Sequence, residues 1–263
     1  MSASFVVPAR FCGPPRSANG GWVSGHAAAL LATGADRPAV TVRLLSPPPL
    51  DRPMQVRRDG DNVEVLAGDR PVLQARPAPA LTGGVPGPIS FAAAVAAGDS
   101  FPGLVDHPFP TCFVCGTDRV PGDALALRPG PVPGGGADAA GGGGVDDGRG
   151  RDGGDGVLHA AAWVPTETST ELVWAALDCP GAWALDVGGR PMVLGTMTAQ
   201  VLALPVPGAE HVVLGWRRGG SGRKHFSGTA LYTGDGRLLA RAEAVWIQVD
   251  PAAILPAGEP AAG

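Results

Sequence analysis

Thr168-Ser169-Thr170-Glu171-Leu172-Val173-Trp174-Ala175-Ala176-Leu177-Asp178-Cys179-Pro180-Gly181-Ala182-Trp183-Ala184 decides how the rest of this chain is read. Thr168 through Glu171 fits a capping box, with a hydroxyl at the start and a carboxylate three residues on. An apolar run then continues to about Val187, so a helix is expected over 171–187. Asp178 is the single acidic side chain between Leu172 and Leu185. Pro180 has no N–H to give the carbonyl of Ala176, so a kink is expected just past Asp178.

Downstream, Leu194–Leu204, His211–Arg217, Lys224–Tyr232 and Leu238–Val249 read as strands, with Gly234-Asp235-Gly236 turning the last hairpin. The same order stands upstream. Asn19 is a good N-cap and Gly34 a good stop for a helix from Asn19 to about Thr33. Ala39–Leu45, Met54–Arg58, Val63–Ala67 and Val72–Arg76 follow as short strands broken by Pro-Pro-Pro and Gly-Asp turns. Val65–Leu73 reads VLAGDRPVL and Leu231–Leu239 reads LYTGDGRLL, each a strand, a Gly-Asp turn and a strand. Helix, four strands, crossover, helix, four strands describes a repeated α+β unit. The expected division is 1–78 for the first half, 79–110 for a Pro/Gly-rich crossover with a short helix in 90–97, and 111–263 for the second half. Residues 133–156, rich in Gly, are expected to be a disordered insertion, because such a composition buries little apolar surface.

Composition narrows the function. The net charge is −4 and no Lys/Arg block exists, which argues against nucleic acid as a partner. No apolar run approaches the roughly 20 residues of a membrane span. Met1–Phe11 lacks the basic start and long apolar stretch of a signal peptide, so a cytoplasmic location is expected. Four cysteines in 263 residues do not make a disulfide scaffold.

Three stretches of the second half resemble the hotdog-fold thioesterases of the phenylacetyl-CoA type. Cys112-Phe113-Val114-Cys115-Gly116, followed by Gly122 and Ala124–Leu127, resembles the opening of many of these enzymes. Trp174–Ala184 resembles their central helix, in which an acid is followed by Gly and small residues. Gly222-Arg223-Lys224-His225-Phe226, with Ala230-Leu231-Tyr232 and Leu239-Ala240-Arg241-Ala242, resembles their closing hairpin. In the first half, Asn19-Gly20-Gly21-Trp22-Val23 resembles the (His/Asn)-Gly-Gly start of the same helix, and no acid follows it. The resemblance implies a fused double hotdog, in which two central helices are each wrapped by an antiparallel sheet. It also implies hydrolysis of acyl-CoA thioesters with no metal or organic cofactor. A homo-oligomer is compatible with it.

Thioester hydrolysis needs a carboxylate to activate water or attack directly, and donors aimed at the developing oxyanion. The free N–H groups at a helix start are such donors, and glycine lets the thioester approach the backbone. Gly20 and Gly21, past the Asn19 cap, suit this role; the plainer reading is a tight turn that needs small residues. Asp178 is the candidate base, against the reading of a surface-facing acid. In the resemblance the acid follows the His/Asn by nine positions. From Asn19 that position is Ala28; nine before Asp178 is Ser169, followed by Thr170 and Glu171 rather than Gly-Gly. One composite site is therefore expected, with Asn19, Gly20 and Gly21 from one half facing Asp178 from the other. Arg223 and Lys224 are candidates for the phosphates of CoA, with ordinary solvated turn charge as the equal alternative. Cys112 and Cys115 are spaced like half a zinc knuckle, with His107 and Cys179 as further donors, but no second CxxC exists. Buried free thiols are the expected state there. The competing function is a catalytically silent hotdog that binds an acyl or aromatic ligand. A hotdog hydratase ranks last, since neither helix carries a His–Asp pair.

Overall fold

The computed structural model describes residues 4–134 and 157–250. Two units of one plan follow each other. The first runs β1 (Ser4–Phe5), α1 (Gly20–Ala28), β2 (Ala39–Leu44), β3 (Met54–Asp59), β4 (Asn62–Ala67) and β5 (Arg70–Ala78). Then come α2 (Phe91–Gly98) and a short strand, β6 (Gly130–Pro131). The second unit runs β7 (His159–Trp163), α3 (Thr170–Ala176), α4 (Cys179–Trp183), β8 (Met192–Val201), β9 (His211–Ser221), β10 (Lys224–Thr233) and β11 (Leu238–Gln248).

All strands belong to one antiparallel sheet in the order β1-β3-β4-β5-β2-β8-β11-β10-β9-β7-β6. Read outward from the centre, β2-β5-β4-β3-β1 is matched by β8-β11-β10-β9-β7. The halves join where β2 pairs with β8, with Thr41 opposite Thr198 and their hydroxyls 2.8 Å apart. So the two sheets expected from sequence are continuous, and the continuous sheet wraps both central helices. This is the double hotdog.

The central helices lie against each other and run in opposite directions. A Cβ built on Gly21 would meet Asp178 Cβ at 2.5 Å and the Trp174 carbonyl at 2.6 Å; one on Gly25 would meet Glu171 Cα at 2.7 Å. Glycine at these two positions is what allows so close a crossing. Helix α1 is buried on nearly every side, as a helix inside a curled sheet must be.

Differences from the sequence reading have local causes. Strands β1, β6 and β7 were not expected; β7 reads His-Ala-Ala-Ala-Trp, and alanine has little strand preference. Helix α1 ends at Ala28, and Leu30 and Leu31 close tighter turns on Ala27 and Ala28, short of Thr33. The cap of α3 is Ser169, which accepts from Leu172 N–H, not Thr168. The expected 171–187 helix is two pieces, broken at Leu177–Asp178. Thr229 Oγ1 donates to the Leu177 carbonyl at 2.9 Å, so a carbonyl at the break is satisfied. From residue 135 on, the 133–156 expectation lies outside the described residues.

Candidate active site

The break between α3 and α4 sets Asp178 at the start of α1. Asn19 caps α1 through its Oδ1, which accepts from Trp22 N–H at 2.8 Å. Its Nδ2 is thereby turned outward and donates to Asp178 Oδ2 at 2.8 Å. Gly21 N–H donates to the same oxygen at 2.9 Å. The two elements are 159 and 157 residues apart in sequence, one from each half. Pro180 stands in the first turn of α4, directly after the expected break.

Asp178 is 4 % exposed. Burial pushes its carboxyl up to about 7, against the opposing pull of the Gly21 N–H and Asn19 donors. Its second oxygen, Oδ1, has no hydrogen-bond partner among the described residues. Gly20 N–H, at the first position of α1, donates to no group among the described residues.

Asp178, Asn19 and Gly20 line a cavity of about 390 Å³. Phe109, Trp183, Met192, Leu194 and Trp246 give it apolar walls. The cavity volume is within the range of small-ligand sites. Cys112, Cys115 and Cys179 also line it, and all are buried free thiols. Hydrogen bonds from Cys115 and Cys179 hold the Cys112 thiol well below the ordinary range, while burial pushes Cys115 up.

Of the residues singled out in the sequence, Asn19, Gly20, Gly21 and Asp178 come together. Gly21 differs in one respect: its N–H is taken by the Asp178 carboxylate, so Gly20 carries the free donor. Arg223 and Lys224 do not line the cavity; both are exposed, Arg223 in the β9–β10 turn and Lys224 at the start of β10. That turn is at the same end of the sheet as the wall residues Met192 and Ile247, since Lys224 pairs with Ile247 and Met192 with Gln248. Sequence reasoning missed Arg190, which lies against His225 at this end, 3.4 Å between nitrogens. It also missed Trp183. A basic residue just ahead of a strand that enters the site was the available signal for Arg190.

A one-chain double hotdog with a carboxylate from one half on the helix start of the other is the class this architecture defines. Solved structures share the fold over nearly their whole length. The tesB protein of Mycobacterium avium subsp. paratuberculosis is 10% identical, with 89% of this chain and 88% of that one covered and a TM-score of 0.53. A hot dog fold protein of unknown function from Alicyclobacillus acidocaldarius is 13% identical, with 94% and 93% covered and a TM-score of 0.54. The acyl-CoA thioesterase II TesB2 of Mycobacterium marinum is 10% identical, with 93% and 92% covered and a TM-score of 0.50. No family profile and no curated protein sequence matches the chain. Among the described residues, no helix is long and apolar enough to cross a membrane.

Proposed function

We propose that this protein hydrolyses acyl-CoA or related thioesters at a single composite site. The observation that carries the reading is the buried Asp178 carboxylate held on the N-terminal turn of α1, at the wall of an apolar cavity. Asn19 and Gly21 fix one carboxylate oxygen, which leaves Oδ1 to take a proton from water or to attack the acyl carbon. Gly20 N–H, reinforced by the α1 dipole, supports the oxyanion formed on the acyl carbonyl. The walls around Trp183, Met192 and Trp246 receive the acyl group and exclude water from it. Arg223 and Lys224, with Arg190 near them, attract the CoA phosphates at the mouth.

The test is turnover of a panel of acyl-CoA thioesters with release of free thiol as the readout, wild type against Asp178→Asn. Turnover that needs Asp178 supports hydrolysis. Saturable binding without turnover in the wild type establishes the silent acyl-binding protein instead.

A further inference from the structure

The CxxC pair had too few partners in sequence, and the fold brings a third sulfur to it. Sγ atoms of Cys112, Cys115 and Cys179 lie within 4.8 Å of one another, all buried. Cys112 and Cys179 are 3.7 Å apart, although 67 residues separate them. Two thiolates on a tetrahedral zinc, each with a bond of about 2.3 Å, stand about 3.8 Å apart.

The surroundings are also those of a thiolate site. Trp183 Nε1–H donates to Cys115 Sγ at 3.4 Å, and Asn19 Nδ2–H reaches Cys112 Sγ at 3.8 Å. Outer donors of this kind orient and tune metal-bound ligands. The loop itself is a tight knuckle: Gly116 N–H returns to the Cys112 carbonyl at 2.9 Å. A Cβ on Gly116 would lie 2.5 Å from the Cys112 carbonyl and from that of Pro110, so only glycine allows the return. His107, the other donor considered from sequence, is occupied. Its Nε2 is on the Cys115 carbonyl at 3.1 Å and its Nδ1 accepts from Phe109 N–H at 3.0 Å.

We infer that Cys112, Cys115 and Cys179 form a three-thiolate site for a borderline-soft d¹⁰ cation, Zn²⁺, with its fourth position open to the cavity they line. A water from the cavity completes the four. The ion ties the CxxC loop, which docks on the first half where Phe113 N–H meets the Cys12 carbonyl at 2.8 Å, to the break between α3 and α4. It thus fastens the loop that seats on the first half to the helix break beside Asp178. This inference stands on the sulfur geometry and does not depend on the thioesterase reading.

The experiment is metal content of the full chain after incubation with Zn²⁺ and gel filtration, with Co²⁺ as the spectroscopic probe. Expected are one zinc per chain, and thiolate-to-cobalt charge-transfer bands with the visible bands of a tetrahedral ion. Cys179→Ser should weaken Zn²⁺ at least about tenfold, using the outer-sphere cost as a lower bound. Cys12→Ser should not, since Cys12 is buried outside the cluster, with its Sγ on the Thr111 carbonyl at 3.2 Å. Wild-type protein that retains no zinc and gives no cobalt charge-transfer band overturns the inference, even if the variants fail to fold. So does equal zinc retention by folded Cys179→Ser, or mass analysis that finds Cys112 and Cys179 joined as a disulfide.

Discussion

The two ends of the α1–α3 pair are built alike and end differently. At one end Asn19 and Gly21 of α1 hold the Asp178 carboxylate. At the other end the same plan offers Ser169 as cap, Thr170 and Glu171 in the glycine positions, and Ala28 in the place of the acid. Glu171 there is hydrogen-bonded to His26, with 3.2 Å between Oε1 and Nδ1. A cavity of about 440 Å³ lies at this end too, lined by Ala28, Val40, Thr170 and Trp174. An acid on the facing helix that reaches the capping Asn19 and a glycine N–H, where the other end has Ala28, distinguishes the two, not the presence of a cavity. Fusion of two units in one chain removes the requirement that both ends keep the same residues.

The comparison breaks most visibly at Asp178. Asp178→Asn keeps the shape and removes the base, so kcat should fall roughly 10²- to 10⁴-fold while a non-hydrolysable acyl-CoA still binds. Adding Ala28→Asp should not restore turnover, because the helix start facing it lacks the glycines. Wild-type kcat in the single variant, or rescue in the double, would make the two ends equivalent after all.

Gly21→Ala should destabilise the fold by about 1–3 kcal/mol or more, read by denaturant unfolding, because its Cβ would strike backbone and Asp178. Gly34→Ala, with nothing within 4 Å, is the control and should stay close to wild type. Equal effects would remove the close crossing as the reason for glycine.

Arg223→Ala with Lys224→Ala should raise KM for acyl-CoA about 2- to 5-fold at low ionic strength, with kcat little changed. These are exposed charges, and phosphate contacts serve substrate and transition state alike. An unchanged KM returns them to solvated turn residues.

The smallest effect belongs to the end where Ala28 stands in the place of the acid. Hydrogen bonding to His26 lowers the Glu171 carboxyl from 4.5 to about 2. A folded-state value below the unfolded one stabilises the fold above pH 4.5, and that contribution is lost as pH falls toward about 2. Both side chains are partly exposed, so roughly 1 kcal/mol or less is expected after solvent screening. Glu171→Gln should flatten the acid limb of a stability–pH curve over that window. An identical limb in both proteins would show that the pair contributes nothing.

Much of the fold was legible because its signals are local. Eight of the strands followed from short apolar runs between Gly, Pro and Asp turns, and the repeat followed from their order. Asn19 announced the start of α1, and Pro180 the break beside Asp178. The candidate acid was legible for a different reason: one carboxylate in an apolar helix is costly unless it is held.

What sequence alone determined, then, was the kind of element at each place and the residues able to do chemistry. Only tertiary structure decided which of them meet. Asn19 and Asp178 are 159 residues apart, and their contact exists because two helices cross in opposite directions through glycine. The same crossing gave Gly21 N–H to the carboxylate and left Gly20 free, a choice of one peptide group that no residue pattern encodes. Cys179 joined Cys112 and Cys115 for a related reason, since the break at Asp178 turns the chain toward the CxxC loop. Spacing along a chain fixes local geometry, whereas contacts between distant segments depend on how close backbones can pack.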